Sequence, residues 1–205
     1  MLELQAYKTI MQPVKKEIEK IKGSRFLAFL EPAADKESAE LRLKELKKAY
    51  PDATHHCFAY ITGGDKQIFQ RYSDDGEPAG TAGRPILQVL EGHQIKNALL
   101  VVVRYYGGTK LGTGGLVKAY TEAAVEALDN AEIVLIEPQS QIIAEYEYSL
   151  HKLMLQLYEN YTVKVIRQDF AAKITVELEI KSVFKAQFIA EAIDKSHGQI
   201  ELFEE

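Results

Sequence analysis

Apolar and polar residues alternate with clear periods along the chain, and these periods predict the order of its strands and helices. Short apolar runs bounded by Pro, Gly or charged residues indicate strands, and apolar residues at helical spacing indicate amphipathic helices. In the first two thirds, this pattern predicts strands over 14–19, 24–30, 54–61, 67–72, 98–103 and 133–138, and helices over 35–50, 85–92 and 113–129.

Two of these segments carry more specific information. Residues 98–103 are continuously apolar, which is typical of a strand buried on both faces, and Arg104 is expected to mark the point where this strand reaches the surface. The segments 54–61 and 67–72 flank Gly63, Gly64 and Asp65 and therefore predict a β-hairpin.

The last third of the chain has the order strand, helix, strand, strand, helix, strand. The predicted elements cover 141–148, 150–160, 162–169, 171–180, 185–196 and 199–203. This βαββαβ order is the ferredoxin-like pattern. We therefore predict an α+β fold with two domains, an N-terminal α/β domain over 1–137 and a ferredoxin-like domain over 138–205.

Composition and charge limit the classes of function. The 205 residues are 46% hydrophobic, enough to fill a core, and the net charge of −5 excludes a chain that is basic throughout. Residues 1–50 hold 11 Lys and Arg against 8 Asp and Glu, whereas residues 140–205 hold 7 against 11. A polyanion contact is therefore expected in the first two thirds. The chain has neither an apolar leader nor a membrane-length apolar run, so we expect a cytoplasmic protein.

Glycine is concentrated between residues 73 and 120. The loop around Gly107, Gly108, Gly112, Gly114 and Gly115 joins a predicted buried strand to a predicted helix, a position that suits an anion. It is not a Walker A loop, because Thr113 stands where Lys is required, and Val117 breaks the dinucleotide-binding pattern. The alternative is that the glycines serve only a tight strand-to-helix connection.

An acidic turn precedes this loop and contains Asp74, Asp75 and Glu77. These carboxylates could bind Mg²⁺ or Ca²⁺, or they could hold Arg84 or Arg104 in an ion pair. The ion pair is the favoured interpretation, because the spacing is not that of an EF-hand loop, and no metal site is predicted.

Tyr105 and Tyr106 follow Arg104 at the end of the predicted buried strand, and Tyr72 and Tyr120 flank the same region. Aromatic rings among cations, on a surface rich in glycine, are typical of a stacking platform for single-stranded nucleic acid. The alternative is that about half of these tyrosines pack in the core.

His55, His56 and Cys57 begin a predicted strand, where neighbouring side chains point to opposite faces, so the three cannot bind one metal. A nucleophilic Cys57 assisted by His55 is conceivable, but a buried cysteine is favoured. No catalytic motif is found, and no catalytic residue or cofactor is predicted.

The runs SDDGEPAGTAGRP and VVRYYGGTKLGTGGLVKAY, with ATHHCFAY before them, closely resemble the signature of the YigZ/IMPACT family in its two-domain bacterial form. The resemblance implies an N-terminal domain similar to the second domain of a small-subunit ribosomal protein. It also implies a C-terminal domain similar to the last domain of elongation factor G. These similarities favour contact with RNA or the ribosome.

The eukaryotic relatives regulate a starvation-activated kinase through an additional RWD domain, for which this chain has no room. The family has no established catalytic residues to carry over, and the label of proline dipeptidase, sometimes given to relatives, is not supported by any metal-ligand pattern.

We therefore predict a non-enzymatic protein that binds RNA or the ribosome and has a regulatory role linked to translation. The alternatives are an enzyme acting on a small phosphorylated or carboxylated ligand, and a module that binds a protein partner. The predicted nucleic-acid or anion contacts are Arg84, Arg104, Tyr105, Tyr106, Gly107, Gly108, Lys110, Gly112, Thr113, Gly114, Gly115 and Lys118, beside the acidic Asp74, Asp75 and Glu77.

Overall fold

The computed structural model describes residues 6–63 and 68–204. The strands are β1 (Tyr7–Ile10), β2 (Val14–Glu17), β3 (Arg25–Pro32), β4 (His55–Thr62), β5 (Phe69–Ser73), β6 (Ala98–Tyr105), β7 (Ile133–Ile136), β8 (Gln139–Tyr146), β9 (Lys164–Phe170), β10 (Ile174–Lys181) and β11 (Glu201–Glu204). The helices are α1 (Lys36–Ala49), α2 (Gly83–Gly92), α3 (Thr113–Asp129), α4 (His151–Tyr161) and α5 (Ser182–Lys195). These elements form two compact units, one over Tyr7–Ile136 and one formed by the residues from Glu137 onward.

The first unit is built on a five-stranded antiparallel sheet with the order β2-β3-β6-β4-β5. β6 lies in the middle, with Val102 opposite Ala28 of β3 on one side and opposite Cys57 of β4 on the other. Helices cover both faces of the sheet, and every residue of β6 before Tyr105 is buried. The predicted strand with two buried faces is confirmed.

The alternating side chains of β3 supply the two cores of this unit. Phe26 and Leu30 pack in the core shared with α2 and α3, and Leu27 and Phe29 pack in the core shared with α1. This alternation explains why the apolar run is continuous, since each face of the strand needs apolar side chains. Asp35, at the start of the predicted helix, is the N-cap of α1, and its carboxylate accepts the Ser38 N–H at 2.7 Å in a capping box.

The predicted hairpin is confirmed in its pairing. β4 and β5 are antiparallel neighbours, with Phe58 opposite Ser73 and Thr62 opposite Phe69. Gly64 and Asp65 of the predicted turn lie outside the described residues. The sequence did not predict β1, a four-residue strand that pairs with the distant β7.

The second unit has a four-stranded antiparallel sheet with the order β11-β8-β10-β9. Alternate residues of β8 and β10 are buried against Met154 and Leu157 of α4 and Phe188 of α5. This strand order, with the βαββαβ connection, is that of the ferredoxin-like fold, so the α+β fold class is confirmed. None of the helices in 6–63 and 68–204 is both long and apolar enough to cross a membrane.

Candidate functional site

The acidic turn follows β5, and its first carboxylate holds the start of α2. Asp74 accepts the backbone N–H groups of Gly80 at 2.8 Å, Ala82 at 2.9 Å and Gly83 at 2.8 Å. Ala82 is the N-cap residue of α2, and its methyl side chain cannot accept a hydrogen bond from these N–H groups. Asp74 therefore serves as a cap supplied from outside the helix.

Asp75 connects the turn to β4 and α1. Its carboxylate accepts the His56 N–H at 2.7 Å and the Lys47 ammonium at 2.9 Å. Burial raises the pKa of Asp75, but the hydrogen bonds from Lys47 and His56 outweigh burial and hold this pKa below its ordinary value. The carboxylate is thus ionised at neutral pH, and its main-chain carbonyl lies 2.8 Å from His55 Nδ1.

Glu77 and Arg104 form a buried ion pair beneath the turn. Arg104 Nη1 donates to Glu77 Oε1 at 2.5 Å, and the two side chains are 5% and 4% exposed. The same Oε1 accepts the Tyr120 hydroxyl of α3 at 2.8 Å, and Arg104 Nη2 donates to Ser24 Oγ at 3.1 Å. The pair therefore links the acidic turn, the central strand, α3 and the segment before β3.

This burial changes the role expected of Arg104. The expectation that Arg104 reaches the surface at the end of β6 is wrong, because Glu77 and Ser24 hold its guanidinium inside the unit. The sequence indicated an ion pair between the acidic turn and either Arg84 or Arg104, and the structure shows which arginine forms it. Its guanidinium also lies 5.5 Å from the ring centroid of Tyr106, so Arg104 supports that ring from within.

Ser24 and Gly23 are part of this site, although the sequence analysis did not identify them. Ser24 Oγ accepts the Gly107 N–H at 3.1 Å as well as the hydrogen bond from Arg104. Gly107 packs so closely on Gly23 that an added Cβ would lie 2.0 Å from the Gly23 carbonyl carbon. The Gly-Ser dipeptide before an apolar run was the available signal, but it does not reveal a contact with a loop about eighty residues away.

Cys57 lies among these polar groups without being reactive. Its Sγ is 3.0 Å from the Asp74 carbonyl oxygen and 3.3 Å from the Tyr120 hydroxyl oxygen. Burial raises the pKa of the Cys57 thiol to about 12 and also raises the pKa of Tyr120. Cys57 is buried as predicted, and its thiol is protonated at neutral pH.

The glycine-rich loop lies between β6 and α3 and is exposed. Gly108 and Gly112 have φ angles of +85° and +76°, a conformation that favours glycine. Gly115 faces Leu111, whose Cβ would be 3.2 Å from an added Cβ. At position 114 neither the backbone conformation nor a close contact requires glycine. Its φ is ordinary, and nothing lies within 4 Å of the position that a Cβ would take.

The first turn of α3 has no side-chain cap. Its N-cap residue is Gly112, and Thr113, the first helical residue, is exposed. The N–H groups at the start of a helix need acceptors from outside the helix, and the helix dipole favours negative charge there. The start of α2, by contrast, already has the Asp74 carboxylate.

Three of the predicted contact residues are exposed cations, namely Arg84, Lys110 and Lys118. No carboxylate of the described residues forms an ion pair with any of the three. Within residues 6–63 and 68–204 their positive charge is therefore not neutralised by a carboxylate. Lys110 precedes the uncapped start of α3, Lys118 lies on α3, and Arg84 lies on α2.

The two predicted stacking tyrosines differ in their availability. Tyr106 is 47% exposed, and its N–H donates to Thr54 Oγ1 at 3.0 Å, which fixes the backbone beneath it. Tyr105 is half-buried, and its hydroxyl donates to Asp52 at 3.1 Å. Tyr106 is the more accessible ring.

Within the described residues, no group of three or more His, Cys, Asp or Glu side chains could hold a metal ion.

Comparisons with known proteins agree with this architecture. The sequence model of the Impact N-terminal domain matches residues 22–128, which include the acidic turn, β6 and the glycine-rich loop. An IMPACT family member from Haemophilus influenzae is 39% identical over 183 residues, covering 89% of each chain. The IMPACT family member YigZ from Escherichia coli is 37% identical over 186 residues, covering 90% of this chain and 91% of that protein.

A solved structure also matches the whole chain. The crystal structure of a hypothetical protein superposes with a TM-score of 0.66 and 34% sequence identity, covering 100% of this chain and 98% of that one. The resemblance found in the sequence agrees with the matched domain, with the relatives that align along most of the chain, and with this fold. The chain therefore belongs to the IMPACT family.

Proposed function

We propose that this protein binds single-stranded RNA, with ribosomal RNA as the main candidate, and that it acts in translation through this contact. The proposed binding surface comprises the exposed loop between β6 and α3, the start of α3, and Arg84 near the start of α2. The observation that carries the proposal is the open start of α3, where Gly112 provides no cap and Gly114 leaves space that the protein itself does not use.

Each exposed group has a role in this proposal. Lys110, Lys118 and Arg84 contact phosphates, because none of them forms an ion pair within the described residues. Tyr106 stacks on a base, supported on its inner side by the Arg104 guanidinium. Gly114 allows the RNA backbone to approach the first-turn N–H groups of α3.

The alternative function, an enzyme acting on a small phosphorylated or carboxylated ligand, has less support. Such an enzyme would use Asp74, Asp75 or Glu77 as acid, base or metal ligand. All three carboxylates already accept hydrogen bonds from protein groups that hold the fold. The start of α3 could still accept one phosphate group, so the experiment must distinguish RNA from a small anion.

A substitution at Gly114 gives the sharpest test. We expect Gly114→Ala to leave the fold intact and to raise its stability by up to about 1 kcal/mol, because Ala favours a helix and the added Cβ meets no protein atom. The same Cβ occupies the space proposed for the RNA backbone. Affinity for a labelled single-stranded RNA, measured by fluorescence anisotropy at low salt, should therefore fall severalfold while thermal stability does not.

Charge removal is the second arm of this experiment. Lys110→Ala/Lys118→Ala should weaken RNA binding by about fivefold or more, because two phosphate contacts and their released counterions are lost. Lys36→Ala/Lys152→Ala, which removes two exposed lysines elsewhere, is the matched control and should bind as the unaltered protein does. Absence of binding to RNA and to ribosomes at low salt would contradict the proposal. Displacement of RNA by millimolar inorganic phosphate would favour a small-ligand site instead.

A further inference from the structure

A concave surface lies on the α1 face of the first unit. It is a groove of about 670 Å³ between α1 and β5, the edge strand of the sheet, and it is also lined by Asp75 of the acidic turn. This groove is separate from the glycine-rich loop and the start of α3. It shares the acidic turn with the site described above, because Glu77 of the same turn holds Arg104.

The charge of the groove is positive. Lys44, Lys47 and Lys48 line it from α1, and Arg71 lines it from β5. Lys47 is neutralised by Asp75 at 2.9 Å, and Arg71 pairs with Glu40. Lys44 and Lys48 have no ion-pair partner in the part of the chain that the structure describes, so the groove carries two cations in excess.

An exposed aromatic ring lies on the same face of β5 as Arg71. Residues directly opposite each other in neighbouring strands point to the same face, and Arg71 is opposite Tyr60 while Phe69 is opposite Thr62. Tyr60 packs in the core beneath α1, so Arg71 and Phe69 both project towards the α1 side. Phe69 is 41% exposed.

We propose that this groove is a second binding surface for single-stranded RNA. Lys44 and Lys48 contact phosphates, and a base stacks on Phe69. Cations along a groove and an exposed ring on the same sheet face, two residues before the groove-lining Arg71, are features that single-stranded nucleic acid uses, whereas an acidic protein segment would use the cations alone. The choice of RNA rests on the function proposed above, and the groove extends that contact across the acidic turn.

The experiment compares oligonucleotides of two lengths against variants of the two surfaces. Fluorescence anisotropy at low salt would be measured with single-stranded RNAs of about 6 and about 18 nucleotides, because single-strand sites commonly cover about 4–16 nucleotides. Lys44→Ala/Lys48→Ala and Phe69→Leu alter the groove, Lys110→Ala/Lys118→Ala alters the glycine-rich surface, and Lys36→Ala/Lys152→Ala is the control. Thermal unfolding of each variant shows that the fold is kept.

We expect both groove variants to weaken binding of the longer RNA by about fivefold or more, because Lys44→Ala/Lys48→Ala removes two phosphate contacts and Phe69→Leu removes one stacked ring. The shorter RNA should lose less, because it can bind at the glycine-rich surface alone. Phe69→Leu keeps an apolar side chain and removes the ring, so its effect isolates stacking from packing.

The outcomes separate the two proposals. If only Lys110→Ala/Lys118→Ala weakens binding, the groove proposal is overturned and the proposed function stands. If only the groove variants weaken binding, the groove is supported and the glycine-rich surface is not the site. If the unaltered protein binds no RNA at low salt, both fail. If a polyglutamate peptide displaces the RNA at equal charge and Phe69→Leu has no effect, the groove takes acidic protein segments and the RNA proposal for it is overturned.

Discussion

At the scale of single residues, the acidic turn is a set of structural acceptors with distinct partners. Asp74 caps a helix, Asp75 binds a strand N–H and a lysine, and Glu77 neutralises a buried arginine. A buried arginine without its carboxylate would be an uncompensated charge, which is costly in a protein interior. Loss of the Glu77 carboxylate should therefore destabilise the fold.

We expect Glu77→Gln to lower the free energy of unfolding by about 3 kcal/mol, because it leaves the Arg104 charge without a counter-ion. Urea unfolding of Glu77→Gln and of the unaltered protein at neutral pH measures this difference. Glu122→Gln, an exposed carboxylate on α3, is the control and should change stability by no more than about 0.5 kcal/mol. Equal stability of the two variants would show that the buried ion pair contributes nothing.

The sequence indicated the acidic turn and the glycine-rich loop as parts of one site but not the way they are joined. Arg104 meets Glu77 and Ser24 because β6 pairs with β3 in a register that places Arg104 opposite Phe26. Registers between distant strands depend on packing of the whole sheet and are not contained in local spacing. The loop glycines were visible in the sequence, but only the structure separates Gly107, fixed by a backbone contact, from Gly114, which has open space.

At the scale of elements, the well-predicted segments are those with strong periods. α1 and α3 bury one stripe each, and β6 buries every side chain before its last, so local pattern and tertiary environment agree. β1 escaped prediction because only its last two residues are buried, and its partner β7 lies more than one hundred residues away. The order of strands in the five-stranded sheet also depends on such distant contacts.

His56 of β4 contacts the end of α1 and the acidic turn, and its protonation makes these contacts sensitive to pH. Its Nε2 lies 3.0 Å from the Tyr50 carbonyl oxygen at the end of α1, while its N–H is bound by Asp75. Burial lowers the pKa of His56, against the opposing attraction of Asp75, with Lys47 and His55 also nearby. The unfolded chain therefore takes up a proton at a higher pH than the folded protein does.

The sign of the effect follows from this order of protonation. The contribution of neutral His56 to stability is complete above the unfolded pKa of about 6.5 and is lost as the pH falls towards the lower folded pKa. We expect His56→Gln to lose less stability between about pH 7.5 and about pH 5.5 than the unaltered protein, as measured by urea unfolding at both values. His93→Gln, at an exposed histidine, is the control for the exchange of histidine for glutamine. An unchanged slope in His56→Gln would assign the pH dependence to other groups.

At the scale of the whole molecule, charge and cores are divided between the two units. The cations and glycines of both proposed RNA surfaces belong to the unit over Tyr7–Ile136, whereas the ferredoxin-like unit has its own core and an acidic balance. A polyanion is attracted by the first unit more than by the second. RNA affinity should therefore be insensitive to packing defects in the second unit.

Leu157→Ala tests this division. Leu157 is fully buried in the core of the ferredoxin-like unit, so its truncation should destabilise that unit by about 2–5 kcal/mol. Leu155→Ala, on the same helix and 47% exposed, should have little effect on stability. At a temperature where both variants remain folded, their affinities for single-stranded RNA should equal that of the unaltered protein. A loss of affinity confined to Leu157→Ala would show that the second unit contributes to binding.

The chemistry of Cys57 makes the protein convenient for spectroscopy. It is the only cysteine among the 205 residues, and its buried thiol, with a pKa of about 12, offers almost no thiolate to a maleimide at neutral pH. A dye can therefore be attached at an introduced surface thiol while the native cysteine is left in place. Thr109→Cys in the glycine-rich loop and Leu41→Cys on α1 would each place one fluorophore on the first unit. Changes in the fluorescence of that dye would then report binding near its position, with no second substitution needed to remove Cys57.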